Sequence, residues 1–351
     1  MPASLEYTPD PNFNKYRMRI DDSTYGSDVN GLIWGFVFRP GVQATPLNCE
    51  AAVALLAGNP DDCFVWLHFS LSNASTGQWL RSNLNLPDAF YESFHEGIGA
   101  TRVEQEADSL VAVLQDVLFD TAFDAVDVAT VNLSVQPQCL VSARLKPLRS
   151  VDRLRMSVKH GETFRSTADL LAHLLRDQAH VLSEIVRKST VRVDKIEDGL
   201  LNRRLFVSRS EVGSLRRVLV RLQRLLVPEP AALFRLLNRP PAWVQEADLQ
   251  DLRQSAEEFA AAVADTAALT ERVKLIQEEL AALINEQNNR SLFLLAVVTV
   301  LALPFNIIGG LFGMNVGGIP FSQDGRGFFV VVGLVSGVTA IVAYFALRRR
   351  D

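Results

Sequence analysis

The sequence predicts an α/β domain followed by a long stalk helix and two membrane-spanning helices at the C-terminus. Three observations carry this. Apolar runs of strand and helix character alternate over the first 165 residues, long helical patterns without strand signals follow, and two uncharged apolar runs, Ser291–Phe312 and Gly327–Leu347, close the chain. Each of these runs is about 21 residues, enough at 1.5 Å per residue to cross a hydrocarbon core of roughly 30 Å. Residues 313–326 between them form a short loop, so the pair reads as a helical hairpin in a bilayer.

Within residues 1–165, Leu32–Phe38, Phe64–Phe69 and Leu110–Leu118 are rich in β-branched and aromatic residues and read as strands. Val128–Val135 and Cys139–Arg144, separated by Gln136-Pro137-Gln138, read as two more strands around a turn. Helices are expected over Asn48–Ala57, around Gln78–Asn83 and over Asp88–Glu96. Residues 166–241 form a helical segment, with helices expected at Thr167–Asn202 and Ser210–Leu226 and a break at Pro228, Pro230, Pro240 and Pro241.

A third long helix is expected from near Ala242, with residues 242–290 as stalk. Alternating steps of three and four from Leu249 pass through Leu252, Ala256, Phe259, Val263, Thr266, Thr270, Val273, Gln277, Leu280 and Ile284, a mostly apolar seam suited to lengthwise helix packing. Neither proline nor glycine occurs between Ala242 and Ala302, so the stalk is expected to run into the first span, residues 291–312, without a break.

The bulk properties set limits. A net charge of −5 lacks the basic footprint expected of a nucleic-acid-binding protein, so no nucleic-acid partner is expected. The N-terminus has no basic segment leading into an apolar core, so no secretion signal is read there. Arg290 ahead of the first span and Arg348, Arg349 and Arg350 after the second (327–347) place both termini, including the tail 348–351, in the cytoplasm by the positive-inside rule. Cys49, Cys63 and Cys139 have no metal-binding spacing and are expected to be packed, reduced thiols.

The polar residues of the first span fall on one helical face. Continuing in steps of three and four from Asn285 gives Asn289, Leu292, Ala296, Thr299, Leu303, Asn306, Gly310 and Gly313, whereas Leu294, Val298, Leu301 and Phe305 form the opposite face. Polar groups persist in a membrane where they face protein or water. Two helices cannot enclose an aqueous path, so a pore lined by this face requires a symmetric homo-oligomer. In such a ring Thr299 and Asn306 present layers of neutral oxygens, and Leu292, Leu295 and Leu303 form apolar constrictions able to gate by dewetting. Neutral dipoles suit a divalent cation that keeps much of its hydration shell.

Phe312-Gly313-Met314-Asn315, placed between two terminal spans, resembles the signature that ends the first span in the CorA superfamily of divalent-cation transporters. The order of α/β domain, stalk, two spans and basic tail resembles that superfamily over nearly the whole chain. Val316-Gly317-Gly318-Ile319-Pro320, with Val65-Trp66-Leu67-His68-Phe69 and Gln78-Trp79-Leu80, is more similar to its ZntB-like zinc-transporting branch. The resemblance implies a funnel-shaped homopentamer in the plasma membrane, the inner membrane of a bacterium. It implies Zn²⁺ as cargo, with Mg²⁺, Co²⁺ or Ni²⁺ as the alternative, no resident cofactor, and Gly313, Met314 and Asn315 as the selectivity entrance. It also implies an acidic residue at a subunit interface, to which Glu92 corresponds.

Other candidates are weaker. Asp169, His173 and Asp177, with His180 and Glu184, recur at helical spacing and could ligate Zn²⁺ or form a solvated acidic face. His68 is expected in core packing. Arg203, Arg204, Arg209, Arg216, Arg217, Arg221 and Arg224 make the middle helices basic, either as a solvated face or as a repulsive lining for cations. A membrane-tethered sensor would need a sizeable domain between the spans. An enzyme would need a clustered nucleophile, metal motif or phosphate loop in residues 1–165, and the sequence presents none.

Overall fold

The computed structural model describes residues 26–58, 62–95, 101–118, 128–201, 209–314 and 325–348. Two compact units are present, Met1–Lys274 and Leu275–Asp351.

The first unit is built on a seven-stranded sheet of β1 (Leu32–Arg39), β2 (Val42–Pro46), β3 (Phe64–Ser70), β4 (Arg102–Glu106), β5 (Ser109–Val117), β6 (Val128–Val135) and β7 (Cys139–Arg144). Their order is β2-β1-β3-β7-β6-β5-β4, and every pairing is antiparallel except β3 with β7. The central strands are buried on both faces, which explains why apolar residues occupy both sides of each strand instead of alternating strictly with polar ones. Gly35 on β1 is required by packing, because a Cβ there would lie 2.5 Å from the carbonyl oxygen of Leu47.

One face is covered by α1 (Cys49–Ala57), α2 (Ser75–Asn83) and α3 (Asp88–Glu92), packed on Val65, Leu67, Phe69, Val111 and Val141. Asn48 caps α1 by accepting the Ala51 N–H at 2.9 Å. The expected helix 88–96 is α3 followed by a 3₁₀ turn, Ser93–His95, and Glu96 lies outside the described residues. The other face packs Trp66, Leu114, Val131 and Leu133 against α4 (Arg149–Lys159), α5 (Thr167–Leu201), α7 (Pro228–Asn238) and the start of α8 (Glu246–Phe312). Beyond the sheet edge, Ile185 of α5, Leu222 and Leu226 of α6 (Arg209–Leu226) and Phe259 and Val263 of α8 continue the core as helix on helix.

Two expectations need correction. The proline-rich stretch is not simply a break: it contains α7, in which Pro228 and Pro230 occupy the first turn, where a missing N–H leaves no intrahelical bond unmade. The stalk helix starts at Glu246 rather than near Ala242, because residues 240–245 turn around Pro240 and Pro241. From Glu246 the helix is continuous to Phe312 over 67 residues, with Pro304 inside it. Leu252, Ala256, Phe259, Val263, Thr266 and Val273 of the apolar seam are buried.

The second unit contains the end of α8 and α9 (Gly327–Arg348). Both α8 and α9 contain a segment long and apolar enough to cross a membrane.

Candidate functional site

The geometry of the first span follows from helical periodicity. Val297, Leu301, Pro304 and Ile308 are partly covered, whereas Leu292, Leu295, Thr299, Leu303, Asn306 and Gly310 are exposed. At about 100° per residue the covered stripe lies opposite the Thr299–Asn306 stripe. On α9, Gly327, Val331, Val335 and Thr339, four residues apart, are covered, as are Val342 and Ala343. The polar stripe of α8 is therefore the side that a single chain leaves open.

Thr299 donates its hydroxyl to the Leu295 carbonyl at 2.9 Å, which satisfies its hydrogen and leaves oxygen lone pairs to face outward. Asn306 is exposed two stripe positions further along, beyond Leu303. Pro304, which the sequence reading did not weigh, has no N–H for the Val300 carbonyl, so that oxygen loses its usual helical partner. A proline within an apolar helical run is the signal that could have found it.

The helix ends where the backbone closes tightly. The Gly313 N–H donates to the Gly309 carbonyl at 3.0 Å, and a Cβ on Gly313 would stand 2.9 Å from that same oxygen. Met314 is exposed. Asn315 and the stretch Val316–Pro320 lie outside the described residues.

The acidic candidates on α5 are not assembled as a metal centre, and among the described residues no group of three His, Cys, Asp or Glu side chains is placed to hold one. Asp169 faces Arg165 at 3.5 Å, His173 faces Glu162 at 3.5 Å and Phe164, and Asp177 meets Arg153 at 3.3 Å. Burial raises the Asp177 carboxyl above its ordinary value, with His173 and Arg153 opposing. Glu184 pairs with Lys188, and His180 is exposed. Glu92 is exposed on α3. Arg209, Arg216, Arg217, Arg221 and Arg224 lie on the exposed face of α6, whereas Arg203 and Arg204 lie outside the described residues.

His68 is fully buried in a polar network. Its Nε2 accepts from Arg144 Nε at 2.8 Å, which leaves Nδ1–H to face Ser142 Oγ at 2.7 Å. Burial, then the charges of Arg144 and Arg155, hold His68 well below the usual histidine range. Cys49 and Cys139 are buried free thiols, both pushed up to about 12, chiefly by burial.

An α/β domain, a continuous helix and a terminal pair of apolar helices make up the architecture, with both apolar helices long enough to cross a membrane. The chain matches the family described as CorA-like Mg²⁺ transporter proteins over residues 61–349. It therefore belongs to the CorA family and is a divalent-cation transporter. It is 26% identical to the divalent cation transporter CmaX of Pseudomonas aeruginosa, with 92% of this chain and 97% of that protein covered. It is 23% identical to the zinc transport protein ZntB of Pectobacterium atrosepticum, over 78% and 84% of the two chains. Full-length CmaX matches it with a TM-score of 0.75 at 24% identity, covering 92% of this chain and 98% of that one. The CorA magnesium transporter of Methanocaldococcus jannaschii matches with a TM-score of 0.70 at 18% identity, covering 89% and 96%.

Proposed function

We propose that the chain forms a homopentameric zinc channel in a bacterial inner membrane, with residues 291–312 as the pore-lining span and residues 327–347 outside it. The observation that carries this reading is the exposure of Thr299 and Asn306 on the side of α8 opposite the covered stripe. Exposed oxygens at membrane depth require either water or another copy beside them, and a ring of copies supplies both. Residues 1–165 with the helical segment 166–241 and the stalk 242–290 form the cytoplasmic part, in keeping with the basic ends of the spans. Residues 313–326 form the outer loop, and 348–351 the cytoplasmic tail.

In this reading Gly313, Met314 and Asn315 ring the outer mouth, and Asn315 offers its amide oxygen to a hydrated cation. The ion then passes Gly310, Asn306 and Thr299, between constrictions at Leu303, Leu295 and Leu292. Glu92 on α3 stands for the acidic residue at a subunit interface. Zinc as cargo is supported by the ZntB relatives and the Val316–Pro320 sequence; Mg²⁺ is the second reading, supported by the family description.

The test is uptake into proteoliposomes with Zn²⁺, Mg²⁺, Co²⁺ and Ni²⁺ in competition, with and without a pH gradient. Zinc flux that Asn315→Ala abolishes without dissolving the oligomer is the expected result. Wild-type flux through Asn315→Ala removes the entrance assignment, and preferential Mg²⁺ flux removes the zinc assignment.

A further inference from the structure

A second feature belongs to the N-terminal domain. Trp34 on β1, His68 on β3 and Arg144 at the end of β7 are adjacent on one face of the sheet, and Arg155 reaches them from α4. His68 stacks on the Trp34 ring at 4.1 Å between centroids, and the Arg155 guanidinium carbon lies 4.4 Å from that ring. The Arg144 guanidinium carbon lies 5.9 Å from the same ring. Three cationic or N–H-bearing groups thus converge on one indole.

Their hydrogen bonding is unbalanced towards donors. Trp66 Nε1–H donates to Ser142 Oγ at 2.8 Å, but the buried Trp34 Nε1–H has no acceptor, and neither has the buried Nε–H of Arg155. Arg144 donates through Nε to His68. The nearest counter-charge, Asp152, stands 3.7 Å from Arg155. Orphaned buried N–H groups cost roughly 1–3 kcal/mol each, so two of them beside two guanidinium groups need an explanation.

We propose that Trp34, Arg144 and Arg155 form a binding site for a compact oxyanion of the phosphate or sulfate type. Such a ligand supplies acceptors to both orphaned donors and charge to both guanidinium groups. A planar carboxylate presents two oxygens to one fork, whereas a tetrahedral oxyanion presents oxygens in several directions at once, as three separate donors require. The Trp34 ring is already occupied by His68 and Arg155, so a nucleobase has no free stacking surface and recognition is of the anionic group itself. The position also fits: Arg144 ends β7, which runs parallel to β3, and crevices beyond the carboxyl ends of parallel strands are where α/β sheets bind ligands.

The electrostatics agree. Burial and the charge of Arg155 push Arg144 down to about 10, against the opposing pull of Asp152. A bound anion would favour the charged guanidinium against both effects. His68, held neutral and fixed by Ser142, serves as a rigid support that orients Arg144.

The experiment is a titration of the full-length protein in detergent with sodium phosphate, sodium sulfate and AMP, at constant ionic strength with chloride as background salt. Isothermal calorimetry and thermal unfolding are read together. Saturable binding of phosphate and sulfate is expected, with a rise in Tm that follows occupancy. Tighter binding of AMP identifies the ligand as a phosphate at the end of a larger molecule, and equal or weaker binding identifies a free oxyanion; either supports the site. Arg155→Gln should weaken binding at least about tenfold, as expected for the loss of one charge-assisted hydrogen bond. Trp34→Phe removes the orphaned N–H together with the five-membered part of the indole, against which His68 and Arg155 pack. It should lower the unliganded Tm through the cavity it leaves, and weaken phosphate binding and the phosphate-dependent rise in Tm as well. Absence of saturable phosphate and sulfate binding overturns the proposal, as does binding that both variants leave unchanged.

Discussion

The backbone N–H of Gln115, on β5, donates to the carboxylate of Glu229, in the first turn of α7, at 3.3 Å. This bond fastens the short helix preceding the stalk to an inner strand of the sheet. Glu229 is wholly buried and its second oxygen, Oε1, has no donor, as is true of Oε1 of Gln115 and of Gln178 nearby. Burial, with Asp116 adding to it, raises the carboxyl to about 8, so the folded protein holds a proton there at neutral pH. The unfolded chain releases that proton near 4.5. Between these values the native state binds more protons than the unfolded state, so the contribution to stability is full below about 4.5 and is lost as pH rises through about 8. Glu229→Gln, whose amide supplies N–H donors permanently, should be no more stable than wild type at pH 4 and more stable at pH 9, by up to about 4 kcal/mol. Denaturant melts of the two proteins across that range measure the difference; a difference independent of pH would refute the buried proton.

Arg272 on α8 reaches back to α5, donating to Asp194 at 2.7 Å and to both carboxylate oxygens of Glu197. The fork holds two long helices together where the seam carries the polar positions Thr266 and Thr270. The guanidinium is partly exposed, so solvent screens it and its contribution is modest, about 0.5–1 kcal/mol. Arg272→Met should lower stability by that amount at low salt and much less at 1 M salt. Equal losses at both ionic strengths would mean that the contribution is packing rather than charge.

Gly35→Ala tests the close approach of β1 to the strand-to-helix connection. The added methyl group would stand 2.5 Å from the Leu47 carbonyl oxygen and 3.0 Å from Leu67 Cδ2. Neither the backbone nor the fully buried leucine can give way easily, so a loss of about 1–3 kcal/mol is expected, with m unchanged. Urea denaturation reads both quantities.

What the sequence discloses depends on where each element lies. β3, β5, β6 and β7 are legible because burial on both faces fills them with mostly apolar and β-branched residues, with His68, Asn132 and Ser142 among the buried polar exceptions. The edge strands Val42–Pro46 and Arg102–Glu106 are mostly exposed and polar, so no such run marks them. Helix α4 carries four charged residues in its first seven, which hides the stripe of Val151, Leu154 and Val158 that packs on the sheet. Prolines 228 and 230 conceal α7 because a helix start and a helix stop use the same residue. The polar stripe through Thr299 and Asn306 is readable from a period of 3.6 alone. The fate of His173 and Asp177 is not, since Glu162 and Arg153 reach them only through tertiary packing, whereas Arg165 meets Asp169 only four residues along the chain. The donors around Trp34 are scattered over 121 residue positions and meet only in the folded sheet.

The two faces of the first span make separable predictions. If Asn306 and Thr299 line the ion path, replacing their oxygens by isosteric carbon should raise the barrier to a cation without disturbing the contact with α9. Asn306→Leu removes an amide oxygen from every copy in the ring and is expected to cut zinc flux at least about tenfold, the effect of adding 1.4 kcal/mol to the barrier. Thr299→Val should act in the same direction but less strongly, because its hydroxyl already spends its hydrogen on Leu295. Leu301→Ala, on the covered stripe, should instead weaken packing and shift the oligomer's thermal stability more than its flux per assembled unit. Stopped-flow uptake into liposomes, normalised to oligomer measured by mass photometry, distinguishes the two faces. Should Leu301→Ala reduce flux per oligomer while Asn306→Leu leaves it intact, the pore lies on the other side of the helix.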